Sequence, residues 1–380
     1  MSSSSRTGRV RGFVGWAGSL VAGERLLSLL AVLYLALFVV DRGLPSRTLE
    51  YLSLDTLSVI VALMIVSRGL ELSGVFNRLA VALVESAGYS RLRVHVFMIV
   101  SSALASAIIM NDAALFIFIP FALSLSSYLG GADIMLATIT IAANVGSSLT
   151  PIGNPQNIII WHSYNLGFIE FIRAMAPFSA LSLSLLIAYS AIPHRRSRAG
   201  PAGRVSAMPR VRLDKPLFIA SLLLLVADIA LAQFGLQAYG LALTLAVYLV
   251  VNRMVVYGLD YRLILIFMLM FIDFREVSHL LRCWSHSPLA GGGVEIIVLS
   301  VVLSQLISNV PATITLIDHI PRTQWRYLAI GVNLGGVGLV IGSMANIITL
   351  RLGRLDQATF HKYTLPYFAI LLATTIILLA

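Results

Sequence analysis

The chain is poor in cysteine and in charge. It has one cysteine, Cys283, and 12% charged residues, 17 of them acidic, among 380. A single thiol excludes a disulfide framework and a cysteine-based zinc site. The seven histidines are scattered without metal-ligand spacing, so no metal centre is expected. No glycine-rich phosphate loop occurs, which argues against ATP-driven pumping by this chain alone. Soluble domains carry about 25% charged residues. Half that share, with 58% hydrophobic residues and a mean hydropathy of +0.90, points to an integral membrane protein. The net charge of +10 would suggest nucleic acid in a soluble protein. Here the basic residues sit in loops, so the partner expected is the lipid bilayer and not nucleic acid.

Long apolar runs fill the rest. They fall at 26–40, 54–67, 94–129, 134–163, 168–192, 216–232, 237–252, 261–274, 294–320, 327–350 and 363–380. They lack period-2 alternation, so they read as helices and not as barrel strands. The runs at 94–129 and 294–320 are broken by "MND" (110–112) and "SNVP" (308–311). Each is expected to be a re-entrant hairpin, which leaves about nine full crossings, with two full spans as the alternative for 94–129. With the N-terminus cytoplasmic, 20 of the 27 Lys and Arg residues fall on the cytoplasmic side. The cell membrane is the expected location. Residues 1–25 read as a basic cytoplasmic tail, with no small-residue signal cleavage site after the first apolar run. The polar, basic stretch 193–215 reads as a cytoplasmic linker.

One stretch contradicts its apolar setting. "NVGSSLTPIGNPQNII" (144–159) puts helix breakers where a spanning helix belongs, and "NLGGVGLVIGSMANII" (333–348) repeats the pattern with seven identities in sixteen. "VALMIVSRGLELSGVF" (61–76) resembles "IFMLMFIDFREVSHLL" (266–281), and "MNDAALFIFIP" (110–120) resembles "ISNVPATITLI" (307–317). The chain therefore reads as two copies of one unit, 26–192 and 233–380, joined by the linker and a single span at 216–232. The odd number of crossings per step places the second copy upside down. Inverted repeats with broken helices at matching positions are a sequence pointer to a secondary transporter.

Broken backbone at membrane depth is tolerated where protein buries it or where it lines a cavity. A break frees N–H groups that attract anions and carbonyls that suit Na⁺ or a proton donor. The candidate site residues follow from the two breaks and the two hairpin tips: Asn111, Asp112, Asn144, Gly146, Ser147, Ser148, Thr150, Gly153, Asn154 and Asn157 in the first half, and Ser308, Asn309, Asn333, Gly335, Gly336, Gly342, Ser343 and Asn346 in the second. Asparagine offers donors and acceptors without the cost of burying a charge. Glycine and small polar residues also mediate helix packing in membranes, and that reading applies to any one of these segments alone.

At these residues the sequence resembles the ion transporter superfamily, most closely the arsenite permease and P-protein branch. Citrate and dicarboxylate transporters and NhaD-type sodium/proton antiporters are related branches. The resemblance covers roughly 50–380 and includes "DTLSVIVALMIVSRGLELSGVF" (55–76). It implies an all-α polytopic membrane protein working by alternating access, with Na⁺ or H⁺ as coupling ion, no further cofactor, and in some relatives a homodimer. Three departures stand out. Relatives usually carry one more helix before 26–40. The second hairpin reads Ser308-Asn309-Val310, and Val340 stands where the first copy has Pro151. No arginine lies in either motif.

Among the charged residues, Asp112 at the first hairpin tip is the expected coupling acid, because an acid at membrane depth is functional by default. Asp228 is expected near a helix end. "DFRE" (273–276) and "SRGLE" (67–71) are expected to form ion pairs within their own helices. An intramembrane enzyme would need a nucleophile–base pair or metal ligands. Neither asparagine-rich motif holds a histidine or an acid, so a non-enzymatic transporter of a small inorganic or organic anion is expected. An arsenite-type solute or its neutral acid comes first, then sodium/proton antiport, then citrate or dicarboxylate transport.

Overall fold

The computed structural model describes residues 25–78, 91–125, 133–194, 212–284 and 292–379. Nearly all of the basic tail, most of the basic linker and positions 126–129 of the first broken run lie outside the described residues. All regular structure among the described residues is helical. In order, the helices are α1 (Arg25–Val40), α2 (Leu44–Tyr51), α3 (Leu54–Leu72), α4 (Arg91–Ile108), α5 (Asn111–Ser124), α6 (Asp133–Ser147), α7 (Pro155–Ser163) and α8 (Phe168–His194). After α9 (Lys215–Gln233) come α10 (Gln237–Val251), α11 (Met254–Tyr257), α12 (Tyr261–Trp284), α13 (Gly293–Ile307), α14 (Asn309–Ile317), α15 (Trp325–Gly335), α16 (Met344–Gly353) and α17 (Gln357–Leu379). Short 3₁₀ turns, Arg322–Gln324 and Val340–Gly342, precede α15 and α16. The order α1 to α8 returns element for element as α10 to α17, with α9 between. The short helices α2 and α11 fall where no apolar run is read.

The protein is an all-α polytopic membrane protein. Among the described residues, three helices are each long and apolar enough to cross a membrane: α8 over Phe168–Ala191, α9 and α17. Helices α1, α4, α5, α6, α10 and α13 are apolar but shorter. At 1.5 Å rise per residue a 15-residue helix covers about 22 Å of a core about 30 Å thick.

The breaks have local causes. Helix α7 starts at Asn154, whose side chain accepts the Asn157 N–H (2.9 Å), and Pro155 occupies the first turn, where no N–H is needed. Helix α16 starts at Ser343, which accepts the Ala345 N–H (3.3 Å). Helices α13 and α14 are separated by Ser308 alone, at φ 78° and ψ 155°. That region belongs almost wholly to glycine, and holding serine there costs about 1–3 kcal/mol.

The described helices form two units. The first comprises residues up to 57 and 260–286. In it α12 packs along α1 and against α2, around Leu37, Leu44, Tyr51, Leu52 and Ile272. Arg47 of α2 donates to Asp41 (2.5 Å) and to both oxygens of the fully buried Glu276 (3.1 Å each). The Arg47 guanidinium, helped by the Gly43 N–H, holds the Asp41 carboxyl below its ordinary value. The expectation of ion pairs within "DFRE" is thus corrected. Glu276 reaches another helix, because the helix face that carries it is the one packed on α2. Arg68 and Glu71 of α3 do pair within their helix (2.8 Å).

The second unit comprises 58–259 and 287–380. Its tightest pairings are α4 on α6 and α13 on α15, each at a glycine. A Cβ on Gly146 would lie 2.1 Å from the Ala103 carbonyl oxygen, and one on Gly335 would lie 2.5 Å from Ser304 Cβ. Hairpin arm α5 packs against α16, and hairpin arm α14 packs against α7. Helices α8 and α17 are tied by Tyr367, whose hydroxyl donates to the Ser182 carbonyl (2.7 Å). Asp228 is not at an exposed helix end. It is buried between α9 and α10, where Thr244 donates to it (2.8 Å), because Gly240 leaves room for its carboxylate.

Arg47→Met leaves Glu276 buried without its cation, and the expected loss is about 3–5 kcal/mol. Adding Glu276→Gln should recover most of it. Thermal unfolding of the purified variants checks this, and equal stability of wild type and Arg47→Met would refute it.

Candidate functional site

The two helix breaks leave backbone carbonyls inside the second unit, and asparagine amides answer them in matched fashion. In the first half Asn157 Nδ2 donates to the carbonyls of Ser147 and Thr150 (3.0 Å each). In the second half Asn346 Nδ2 donates to those of Gly336 and Leu339 (2.9 Å each). Each of these asparagines then accepts from the opposite half. Asn333 Nδ2 donates to Asn157 Oδ1 (2.7 Å), and Asn144 Nδ2 donates to Asn346 Oδ1 (3.0 Å). The helix caps also cross over. Asn154 Nδ2 donates to Asn333 Oδ1 (2.9 Å), and Ser343 Oγ donates to Asn144 Oδ1 (3.2 Å). The asparagines and Ser343 are all buried, Asn154 and Asn157 completely. A buried carbonyl left without a donor costs about 1–3 kcal/mol, so each exchange holds the two halves in register.

The structure brings most of the sequence-derived residues together. Asn111 at the start of α5 donates through Nδ2 to Asn144 Oδ1 (3.1 Å), and its backbone N–H donates to the Gly153 carbonyl (2.9 Å). Asp112 lies in the first turn of α5, buried, with its N–H on Asn111 Oδ1 (3.1 Å). The helix dipole favours negative charge there. Ser147 Oγ accepts from Asn154 (2.9 Å). Gly336 places its carbonyl within reach of both Asn144 and Asn346, and Gly342 lies against the Gly335 carbonyl. Two residues point elsewhere. Ser148 bonds Ser179 of α8 (2.8 Å), and Thr150 donates to the Ala107 carbonyl (2.6 Å), which fastens the break to the hairpin.

The halves differ at the hairpin tips. Asn111 is fully engaged. Its counterpart Asn309 accepts the Val310 N–H through Oδ1 (2.9 Å), while its Nδ2 donates to no described residue. The acceptor that symmetry would offer, Asn333 Oδ1, is already taken by Asn154 and lies 3.4 Å from Gln156 Nε2. The strained, half-buried Ser308 stands beside it. An amide donor without a described partner thus lies next to strained backbone at the N-terminus of α14.

Sequence reading missed Gln305. Its Nε2 donates to the Gly335 carbonyl and its Oε1 accepts the Leu339 N–H (2.7 Å), bridging the second break from α13. The available signal was a lone amide in an otherwise apolar run, one turn before Asn309.

Three comparisons bear on this geometry. The model of a family described as citrate transporter matches residues 19–325. The inner membrane protein YbiR of Escherichia coli (strain K12) is 33% identical over 354 residues, 90% of this chain and 92% of that protein. The silicon efflux transporter LSI3 of Oryza sativa subsp. japonica is 36% identical over 132 residues, 33% of this chain and 27% of that one. Among solved structures, the YdaH transporter of Alcanivorax borkumensis, whose crystal structure was described as having an unusual topology, aligns with a TM-score of 0.51 at 16% identity. It covers 93% of this chain and 95% of its own, a likeness of fold alone.

Asn157→Ala removes the donor to the buried Ser147 carbonyl and should cost about 1–3 kcal/mol, while Asn346→Ala should cost less, because the Gly336 carbonyl keeps Asn144 and the Leu339 carbonyl keeps the Gly342 N–H. Ser308→Gly should stabilise the chain by about 1 kcal/mol by removing a strained φ. Melting temperatures of the purified variants test both. A destabilised Ser308→Gly would contradict the strain.

Proposed function

The chain belongs to the citrate transporter family, and from that premise we propose that it moves a small inorganic anion or its neutral acid across the cell membrane by alternating access. The observation that carries this reading is the make-up of the site. It is built from amides, hydroxyls and helix N-termini, and neither motif holds a lysine or arginine. Uncharged donors suit a neutral or singly charged solute. A tricarboxylate would call for guanidinium or ammonium partners to offset its charge. The relative named for silicon efflux favours a small inorganic solute as well.

In this reading the substrate is received by the free Nδ2 of Asn309 and the N-terminus of α14, beside Ser308. Asp112 carries the coupling H⁺ or Na⁺. The reciprocal asparagine pairs between the halves are what must exchange as access alternates, and exchange is inexpensive because each amide finds an equivalent partner in the other half. The N-terminus is cytoplasmic, and a homodimer is compatible with the exposed apolar faces. Sodium/proton antiport by Asp112 is the second reading, favoured by an acid in the first turn of a buried helix. Citrate or dicarboxylate transport is the third, favoured by the family description.

Proteoliposomes holding the purified protein decide among these. Internal pH is recorded under Na⁺ gradients, with and without arsenite or citrate, for wild type and Asp112→Asn. The expected result is a pH change that requires arsenite and is lost in the variant. A Na⁺-dependent change without any anion would instead assign antiport, and a change with citrate alone would assign carboxylate transport.

A further inference from the structure

Away from the asparagine network, the first unit buries an acid with no partner. Asp273 stands within α12, is 0% exposed, and neither of its carboxylate oxygens accepts a hydrogen bond from a described residue. An ionised carboxylate there would surrender its hydration with no donor in return, which folded proteins avoid. A bound cation is the poorer answer, because a hard cation needs several oxygens around it. The nearest acids of this unit are already committed: Arg47 lies between Asp41 and Glu276 and bonds both.

The same helix face carries further titratable groups. Asp273, Glu276 and His279 follow at intervals of three residues and share one face of α12. That face carries Ile272 and Leu280 onto α1 and α2. An oxygen of Asp41, an oxygen of Glu276 and a ring nitrogen of His279 all lie within 4.8 Å of one another. His279 is half-buried, and its Nδ1 has no partner. Glu276 is itself fully buried, and so is the Nδ1 atom of His279. The other titratable or charged groups that α1, α2 and their loop bring to this face are Tyr34, Asp41, Arg47 and Tyr51, and α12 adds Arg275. Arg42 and Glu50 are exposed.

We propose that Asp273 is a proton-binding site, occupied at neutral pH. On release the O–H bond of the acid breaks, the proton leaves for solvent, and the carboxylate stays behind. Occupancy of the site is independent of the substrate. Its use as a coupling proton rests on the transport reading above.

Infrared spectra of the full-length protein in vesicles, with ¹³C-labelled aspartate, test the occupancy. At neutral pH the wild type should show the carbonyl band of a buried protonated carboxyl. The band should be absent from Asp273→Asn and present but displaced in Asp273→Glu, which carries the comparison if the asparagine variant does not fold. No such band in the wild type, or an unchanged band in both variants, overturns the proposal. In the same vesicles arsenite and citrate serve as transport probes. Uptake that persists in Asp273→Asn while its pH change disappears supports the coupling role, and an unaltered pH change overturns it. Absence of uptake by the wild type would defeat the transport reading, and the carbonyl band would still decide the proton.

Discussion

Everything at the centre of this protein follows from one constraint. A helix broken inside an apolar medium leaves carbonyls and N–H groups that water cannot reach. The chain meets this with asparagine. Asn157 binds the carbonyls of Ser147 and Thr150, and Asn346 binds those of Gly336 and Leu339. Each then accepts from Asn333 or Asn144 of the other half. Each break is therefore satisfied by an amide of its own half, and that amide is in turn held by the other half. The close glycine contacts at Gly146 and Gly335 serve the same end, since they bring the backbone of α4 and α13 near enough for the amides to reach.

The departures from this symmetry are where chemistry is available. The first half closes on itself: Asn111 bonds Asn144, and Thr150 ties the break to the hairpin. In the second half Gln305 takes over the bridging, Ser308 is held at a positive φ, and Asn309 keeps an amide donor in reserve. On the alternating-access reading proposed above, halves that are alike in bonding capacity and unlike in present use would differ by little free energy, and a bound solute would bias them.

Acids are treated differently in the different places they occur. Glu276 is buried against a guanidinium, Asp228 against a single hydroxyl, and Asp273 against nothing that donates. The first is an ion pair that locks α12 to α2. The last is a group for which protonation is the economical state. In a family of transporters, such a gradation separates structural charge from movable charge.

Much of this was legible in one dimension. Membrane class follows from charge and hydropathy alone, because a bilayer admits few alternatives. The two breaks and the hairpin tips were legible because Asn, Gly and Pro are conspicuous in apolar runs, and their recurrence at matched spacing marked Asn144, Asn157, Asn333 and Asn346 together. The partner of each amide was not legible. Asn333 could not be assigned to Asn157, nor Gln305 to Gly335, because those bonds join segments far apart in the chain. The same holds for charge: composition placed Asp228 at a helix end and Glu276 beside its own neighbours, while packing buried the first under Thr244 and turned the second to Arg47. Sequence determined which polar groups enter the apolar interior. Tertiary structure alone decided which of them are answered, since satisfaction of a buried donor or acceptor depends on what the fold brings within about 3 Å of it.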